Sequence, residues 1–375
     1  MKKIKNIYNL GEKEFISLRY DKVLIFLIVY GFTFLIYMAA KDENLELRNA
    51  SIAIVDEDQS QLSSRIQDAF PKPYFLSPQA LGVDDIDSAM DSGKFTFIVD
   101  IPYGFEADIK SGHSPVIQVN VDATAMSQAG NGSGYISRIL IDEVTEYLKG
   151  YKYEPKEPVK ASIRVKFNPN LIGSWFMSIM EIINIATMLA ILTTGAAIIR
   201  EREHGTIDHL LVMPLTPFEI MSAKFLANGL VIIGAILFSL TFVVKLLLEV
   251  HIQGSVPLFL VGSVLYLFSI TSIGIFIATV SRSMPQLGLL CILVIFPMLT
   301  LSGGFTPLDS MPKIIEVLTT ISPTRHFVSY AQAVLFRDAG LQIVWREFAA
   351  VALIGLTFFI SSLIRFRKTI TMTQT

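Results

Sequence analysis

The chain has 375 residues, of which 52% are hydrophobic and 17% charged, and its formal net charge is −2. A mean hydropathy of +0.53 is typical of membrane proteins and argues against an ordinary soluble protein of this size. The single cysteine, Cys291, lies in an apolar run, which excludes an intramolecular disulfide and a cysteine-based metal site. No basic cluster accompanies a nucleic-acid reading motif, so nucleic acid is not an expected partner.

Residues 1–22 are basic and amphipathic, and residues 23–40 form the first apolar run. The leader predicts either a helix lying in the membrane interface, with its lysines toward anionic headgroups, or a plain charged segment that sets orientation. The expected apolar stripe consists of Ile4, Ile7, Tyr8, Phe15 and Leu18, with Leu10 and Ile16 off the stripe. Roughly 18 apolar residues exceed the core of a secretory signal, which favours an uncleaved first span with the leader in the cytoplasm.

Residues 41–170 are soluble in character and long enough for a domain of their own. Short β-like runs lie at 51–55, 95–101, 116–121 and 162–167, and helical patterns lie at 59–70, 84–92 and 127–149. This alternation predicts an α/β extracytoplasmic domain between spans one and two. The turn at Asp56 starts like a calcium loop, but Gln61 and Gln67 stand where glycine and glutamate are required. We therefore expect an aspartate capping the next helix.

The rest of the chain, residues 171–375, predicts five more membrane spans. They are expected at residues 172–199, 220–248, 256–280, 285–301 and 348–364. The turn at 281–283 and the tail after residue 364 are basic, which places both in the cytoplasm. The sequence thus predicts an α-helical inner-membrane protein with six transmembrane helices and both termini inside.

Two further regions carry polar residues in or beside the spans. Glu181 and Asn184 lie near the outer end of the second span, where they either line a translocation path or simply reach water. Residues 305–346 are divided by prolines and contain too few consecutive apolar residues to cross the membrane. This predicts re-entrant or interfacial helices on the outer side.

Residues 200–219, with the sequence REREHGTIDHLLVMPLTPFE, form a polar stretch between the second and third spans. Ile207, Leu210 and Leu211 follow the i, i+3, i+4 spacing of one face of a short helix. Such a helix at a membrane surface lies against headgroups or against another protein. The bland alternative is an ordinary charged hairpin turn.

This stretch resembles the cytoplasmic loop of ABC-2 type transporter permeases, and most closely the multidrug-exporter-like branch with a large outer domain. The span order, the outer domain, and the stretches 302–304 and 323–324 extend the resemblance over most of the chain. The resemblance implies that the loop carries a coupling helix that docks on a separate ATP-hydrolysing subunit. The residues implied in coupling are Glu201, Arg202, Glu203, His204, Gly205, Thr206, His209, Leu210, Leu211, Pro214 and Glu219.

The resemblance also implies an outer exit narrowed by the helices of residues 305–346. Its gate residues would be Gly303, Gly304, Pro323, Arg325 and His326. A histidine in this position is otherwise a structural residue.

The sequence contains no P-loop, nucleophile elbow or His-x-x-x-His pair, so we expect no nucleotide hydrolysis by this chain. No cofactor or metal is expected on it, and ATP and Mg²⁺ would bind the partner ATPase. The resemblance implies a permease subunit of an ATP-driven exporter of amphipathic or drug-like compounds. It would pair with itself or a related permease and meet a periplasmic adaptor (membrane fusion) protein. The alternative is an ATP-independent scaffold or receptor whose outer domain binds a partner protein.

Overall fold

The computed structural model describes residues 2–41, 49–123, 126–150, 173–203, 215–306 and 308–373. The chain divides into two compact units. One, the α/β unit, is Glu43–Ile163, and the other, the membrane unit, combines Met1–Asp42 with Arg164–Thr375.

Two helices open the membrane unit, α1 (Lys2–Tyr20) and α2 (Lys22–Lys41). Asp21 marks the corner between them, and its carboxylate accepts a hydrogen bond from the Leu24 amide at 3.1 Å. This contact caps α2. Within α2, Gly31–Leu35 widens into a π-helical turn.

The face of α1 that packs on the protein differs from the stripe that the sequence predicts. Leu10 packs against the apolar core, whereas Ile4 is 75% exposed and Tyr8 is 68% exposed. Leu10, which lies off the predicted stripe, thus packs on the protein, because contacts to other helices as well as the apolar stripe orient α1. The exposed edge at Ile4 and Tyr8 suits a membrane interface.

The described part of the α/β unit contains a four-stranded sheet in the order β2-β1-β3-β4. Its elements are β1 (Ile52–Asp56), α3 (Gln61–Asp68), β2 (Gln79–Ala80), α4 (Ile86–Asp91), β3 (Phe97–Ile101), α5 (Phe105–Lys110), β4 (Gln118–Val121) and α6 (Met126–Lys149). β1 pairs in parallel with β2 and β3, and β4 runs antiparallel to β3 with Val121 opposite Phe97. The predicted strand at 162–167 lies outside the described residues.

Apolar side chains cover both faces of this sheet. Ile52, Ile54 and Phe97 face one core cluster, and Ala53 and Ile98 face the other. The near-continuous apolar runs of β1 and β3 follow from this, because central strands buried on both faces lack the alternation of a half-exposed strand.

The turn after β1 starts a helix. Ser60 accepts a hydrogen bond from the Ser63 amide at 3.1 Å, and the Ser63 hydroxyl accepts one from the Ser60 amide at 2.9 Å. Asp56 accepts from the amides of Asp58 and Gln59 instead. The prediction of an aspartate cap is therefore wrong, since Ser60 forms the capping box and Asp56 organises the turn before it.

Glu106 joins three helices of the α/β unit. Its carboxylate pairs with Lys110, and it accepts hydrogen bonds from the Tyr147 hydroxyl at 2.7 Å and from the Leu62 amide at 3.1 Å. These donors, Lys110 first, lower the pKa of Glu106 from its ordinary 4.5 to about 2. The ionised carboxylate therefore stabilises the unit at pH values above 4.5, the ordinary pKa of Glu106. This stabilisation is lost as the pH falls from 4.5 toward 2.

The remaining described helices of the membrane unit follow in chain order. They are α7 (Gly173–Glu203), α8 (Pro217–Leu247), α9 (Val256–Val280), α10 (Met284–Thr300), α11 (Lys313–Thr319), α12 (Pro323–Phe336) and α13 (Leu341–Thr373). Within the described ranges, five helices are long and apolar enough to cross a membrane: α2, α7, α8, α9 and α13 up to Phe366. α10 lies where the fifth of six spans is predicted, but it has 17 residues, shorter than the roughly 20 that cross a bilayer.

α7 and α9 form the buried centre of the membrane unit, whereas α2 and α13 leave most of their apolar surface exposed. The ring of Tyr266 on α9 stacks on Phe327 of α12, with centroids 4.1 Å apart. Gly262 lets Tyr330 approach α9, because a Cβ at Gly262 would lie 2.2 Å from the Tyr330 ring. These contacts pack the short helix α12 firmly on α9.

Candidate functional site

The predicted hairpin between the second and third spans is formed by α7 and α8. α7 continues through Glu203, beyond the predicted end at residue 199, because arginine and glutamate are good helix formers. Glu201, Arg202 and Glu203 are therefore helical residues. The middle of the predicted coupling loop lies outside the described residues, and it contains His204, Gly205, Thr206, His209, Leu210, Leu211 and Pro214.

Lys224 is the buried centre of the base of this hairpin, with 2% of its side chain exposed. Its ammonium group donates hydrogen bonds to Glu14 at 3.0 Å and to Glu201 at 2.9 Å. These contacts join α1, α7 and α8. A charge at this depth is costly without partners, and removing one partner of a buried ionic group is strongly destabilising.

Glu219 makes a second connection between α8 and α1. It is 1% exposed, and its carboxylate accepts hydrogen bonds from the amide and the hydroxyl of Thr216, each at 2.7 Å. The other carboxylate oxygen accepts from the side-chain amide of Asn6 at 3.1 Å. Thr216 and Glu219 form a capping box at the start of α8. The Glu219 side chain therefore caps α8 and also holds α1 through Asn6.

Arg202 and Glu203 connect the end of α7 to the turn before α10. Arg202 Nη1 donates to the carbonyl oxygen of Ser281 at 2.7 Å, and Glu203 accepts from the Met284 amide at 3.0 Å. The basic turn predicted at 281–283 thus lies at the same end of the membrane unit as the hairpin.

We call these contacts the hairpin-base cluster. Its members are Asn6, Glu14, Glu201, Arg202, Glu203, Thr216, Glu219 and Lys224. Four of the residues implied in coupling thus have partners within the chain. The cluster holds both flanks of the loop against α1 and the start of α10, so its contacts connect four helices, α1, α7, α8 and α10.

Sequence reasoning did not select Lys224, Glu14, Asn6 or Thr216. Two signals were available. Lys224 is a charged residue inside the apolar run 220–248, which by itself marks a candidate. Thr216 and Glu219 have the spacing of a capping box directly before that run. Glu14 and Asn6 carried no comparable signal, since only tertiary packing brings α1 to the hairpin.

Glu181 and Asn184, the predicted path residues, contact each other on α7. The Asn184 side-chain amide donates to Glu181 at 3.1 Å. Asn184 is 6% exposed, and its side-chain oxygen has no hydrogen-bond partner among the described residues. Glu181 also lines a cavity of about 510 Å³ together with residues of α2, including Met38 and Lys41.

Of the two predicted gate glycines, Gly304 lies beside the same part of α7, whereas Gly303 lies beside Leu308. A Cβ at Gly304 would lie 2.2 Å from the end of the Met180 side chain, so a larger residue would displace that methionine. Gly303 has φ +89°, in the left-handed region that favours glycine. The structure therefore brings Gly304 close to the residue that precedes Glu181.

Pro323 is a first-turn proline of α12, and the next residue enters a buried chain of hydroxyl groups. The Thr324 hydroxyl is 3.0 Å from that of Tyr266, which also contacts Thr187 on α7. This chain fixes the start of α12 to α7 and α9.

Arg325 and His326 hold α12 to its outer neighbours. Arg325 Nη1 donates to the Glu316 carbonyl oxygen at 2.5 Å and to the Thr319 hydroxyl at 2.7 Å, which ties α12 to α11. His326 contacts Glu347 of α13 at 2.5 Å through Nδ1 and the Thr320 carbonyl oxygen at 3.0 Å through Nε2. The two ring nitrogens thus join α12 to α13 and to the residue that follows α11.

An apolar cavity of about 540 Å³ lies between α9, α10, α12 and α13. Its lining includes Phe276, Val294, Met298 and Phe358. Its chemistry suits hydrocarbon or aromatic groups.

The comparison with known proteins agrees with this arrangement of helices. The family model described as ABC-2 family transporter protein matches residues 23–364. The chain belongs to the ABC-2 transporter family. The resemblance seen in the sequence is thereby confirmed, and this ABC-2 chain is a multi-pass transport permease of the inner membrane.

Two kinds of relatives are similar to this ABC-2 chain over nearly its whole length. The inner membrane transport permease YhhJ of Escherichia coli (strain K12) is 51% identical over 370 residues, which is 99% of each chain. The probable multidrug ABC transporter permease YbhR of the same organism is 29% identical over 329 residues, 86% of this chain and 88% of its own. A second such permease, YbhS, is 26% identical over 350 residues, 90% of this chain and 88% of its own. In this family the ATPase is a separate subunit.

Proposed function

We propose that this ABC-2 permease is the membrane subunit of an ATP-driven exporter and that its ATPase docks on the loop between α7 and α8. The observation that carries the proposal is the hairpin-base cluster. Lys224, Glu201 and Glu219 fix the two flanks of the loop to α1 with buried polar contacts. A rigid base allows a push on the loop to move whole helices, as rigid elements do in switching transitions.

In this proposal the loop itself supplies the docking surface. Leu210 and Leu211 anchor its helix on the ATPase, His204 and His209 make polar contacts, and Gly205 permits the bend. ATP and Mg²⁺ bind the ATPase. Glu201, Arg202 and Glu203 act as positioning residues, since each already bonds within the chain.

The path runs between two copies of the permease or between it and a related one. α10 completes six spans, both termini are cytoplasmic, and the α/β unit lies outside, where it meets a periplasmic adaptor protein. Glu181 and Asn184 line the path. The exit gate is formed by Gly303, Gly304, Pro323, Arg325 and His326.

The substrates are amphipathic or drug-like compounds. The apolar cavity of about 540 Å³ supports this class, and so do relatives named as probable multidrug permeases.

The test separates docking from folding. Charge reversal at Glu201 would remove a partner of Lys224 and so confound the two. We therefore choose Leu210→Asp combined with Leu211→Asp, and measure retention of the ATPase in a mild-detergent pull-down together with thermal stability. We expect wild-type stability, loss of the ATPase and loss of ATP-dependent efflux.

Val317→Asp combined with Leu318→Asp is the matched control for docking. These are also adjacent apolar residues, 67% and 62% exposed, and they lie on α11 directly before Thr319, which contacts Arg325. The control should retain the ATPase. Stoichiometric ATPase retained by the Leu210 and Leu211 variant would remove the loop from the docking site.

A further inference from the structure

A crevice of about 420 Å³ lies between the corner of α1 and α2 and one face of α7. Its residues divide into two groups. The polar group contains Glu14, Ser17, Asp21 and Arg200. The deeper group contains Leu24, Leu27, Leu189, Leu192 and the small residues Ala196 and Ala197.

The crevice has the length of one leaflet of a bilayer. Leu189 and Arg200 are eleven positions apart on α7. At 1.5 Å per residue they are separated by about 16 Å along the helix, about half of the roughly 30 Å hydrocarbon core. The polar end lies at the corner where α2 begins, so the crevice is polar at the membrane surface and apolar toward the membrane middle.

The charges at the polar end have capacity for further partners. Arg200 Nη1 lies 3.9 Å from an oxygen of Asp21, the outer limit of an ion pair. The Arg200 side chain is 57% exposed and that of Asp21 is 32% exposed. A guanidinium has five N–H donors, and one long contact uses few of them.

We propose that this crevice binds one zwitterionic phospholipid that carries a primary ammonium group, from the leaflet on the α1 side. Arg200 holds the phosphate, because guanidinium and phosphate form bidentate charge-assisted hydrogen bonds. Asp21 accepts from the ammonium. One acyl chain lies along Leu189, Leu192 and Leu27, where alanines on α7 leave room.

Charge complementarity selects this class of lipid. A cation and two anions, Arg200 with Asp21 and Glu14, line the headgroup end. An anionic headgroup without an amine would satisfy Arg200 but face both carboxylates. Glu14 also bonds Lys224, so the bound lipid would touch the hairpin-base cluster directly.

The test uses full-length protein, delipidated in mild detergent and offered equal amounts of dioleoyl phosphatidylethanolamine, phosphatidylglycerol and phosphatidylcholine. Native mass spectrometry counts each bound lipid. We expect one tightly retained phosphatidylethanolamine on the wild type. Arg200→Gln should lower its retention about tenfold, the effect of losing a hydrogen bond to a charged group.

Three companion variants sharpen the result. Asp21→Asn preserves a good helix cap and should abolish the preference for phosphatidylethanolamine over phosphatidylcholine. Ala196→Phe should fill the crevice and lower retention of every lipid. Arg282→Gln changes an exposed arginine at the same end of the membrane unit and should leave retention unchanged.

Equal retention by the wild type and Arg200→Gln would overturn the proposal, as would a preference for phosphatidylglycerol. A second copy of the chain is the competing occupant. It predicts efficient chain-to-chain cross-linking from Leu27→Cys in a Cys291→Ser background, without lipid retention, and that result would also overturn the proposal. The lipid site does not depend on ATP-driven export, so a permease without an ATPase partner would leave this test intact.

Discussion

The two ends of the membrane unit use similar charged groups at different depths. At the hairpin base, Lys224 is 2% exposed, and its partners Glu14 and Glu201 are 21% and 20% exposed. At the opposite end, Arg325 and His326 are 16% and 18% exposed, and their partners Glu316 and Glu347 are 45% and 36% exposed. Contacts in water contribute little net free energy, whereas a buried charge that loses its partner is strongly destabilising.

This difference in depth separates two mechanical roles. The buried contacts make α1, α7 and α8 one rigid base. The contacts at the opposite end join the short helices α11 and α12 to each other and to α13, and their carboxylates are more accessible to water. In the proposed exporter, the hairpin base would move as a rigid element and the opposite end would open as the exit.

The largest expected effect comes from Lys224→Met. It takes the cation away from the partly buried carboxylates of Glu14 and Glu201, which costs about 3 kcal/mol of stability. Thermal unfolding in detergent measures the loss. Lys245→Met is the matched control, since Lys245 is an exposed lysine on the same helix, α8.

Adding Glu201→Gln to Lys224→Met should restore part of that stability, because it removes one of the two carboxylate charges that face Lys224 in the wild type. If Lys224→Met proves no less stable than Lys245→Met, the two ends of the membrane unit do not differ as described.

A smaller effect is expected for Glu347→Ala, which removes the hydrogen-bond partner of His326 Nδ1. The contact is partly exposed, so its loss should cost about 1 kcal/mol. Hydrogen exchange should speed up in α11 and α12 and stay unchanged in α1. Glu249→Ala, at another exposed position, serves as the control. Faster exchange in α1 as well would mean that the outer contacts are not local.

Thr216→Ala tests the cap within the buried base and should destabilise the start of α8 by about 1 kcal/mol. Thr216→Ser keeps the hydroxyl and should behave as the wild type. Exchange of the α8 amides reports the change. An unaltered α8 in Thr216→Ala would show that Asn6 and packing suffice to hold Glu219.

The smallest effect is expected for Glu106→Gln in the α/β unit, below about 1 kcal/mol at neutral pH. The folded-state pKa of Glu106 is lowered to about 2, so the ionised carboxylate stabilises the unit at neutral pH. This contribution is lost as the pH falls from 4.5, the ordinary pKa of the carboxyl, toward 2. Protection of α5 and α6, corrected for intrinsic exchange, should therefore fall with acid in the wild type and vary less in the variant. Identical pH profiles would contradict the assigned role of Glu106.

Local patterns in the sequence predicted much of the fold. The apolar runs anticipated α2, α7, α8, α9 and α13, and the alternation after span one anticipated β1, β3 and β4. Helix ends were less predictable. α7 continues through Glu203 because the residues after the apolar run, arginine and glutamate, also favour a helix. The cap of α3 is Ser60, because the Asp56 carboxylate accepts hydrogen bonds within the preceding turn.

The polar sites were harder to predict than the helices. Glu201 and Glu219 were selected by their place beside the loop, yet their partners Lys224, Glu14 and Asn6 come from segments up to 213 residues away. A charge pattern along the chain indicates which residues are unusual. It does not indicate which of them meet.

By itself, the sequence determined the membrane class and the two long apolar segments that flank residues 200–219, because hydropathy and helix periodicity are local properties of the chain. Its loop motif and span order carried the resemblance to the ABC-2 family. The tertiary structure alone decided that Lys224 joins α1 to the hairpin, that Gly304 contacts Met180 of α7, and that a polar-ended crevice forms beside Arg200. These depend on helix packing, which places side chains far apart in sequence within hydrogen-bond distance.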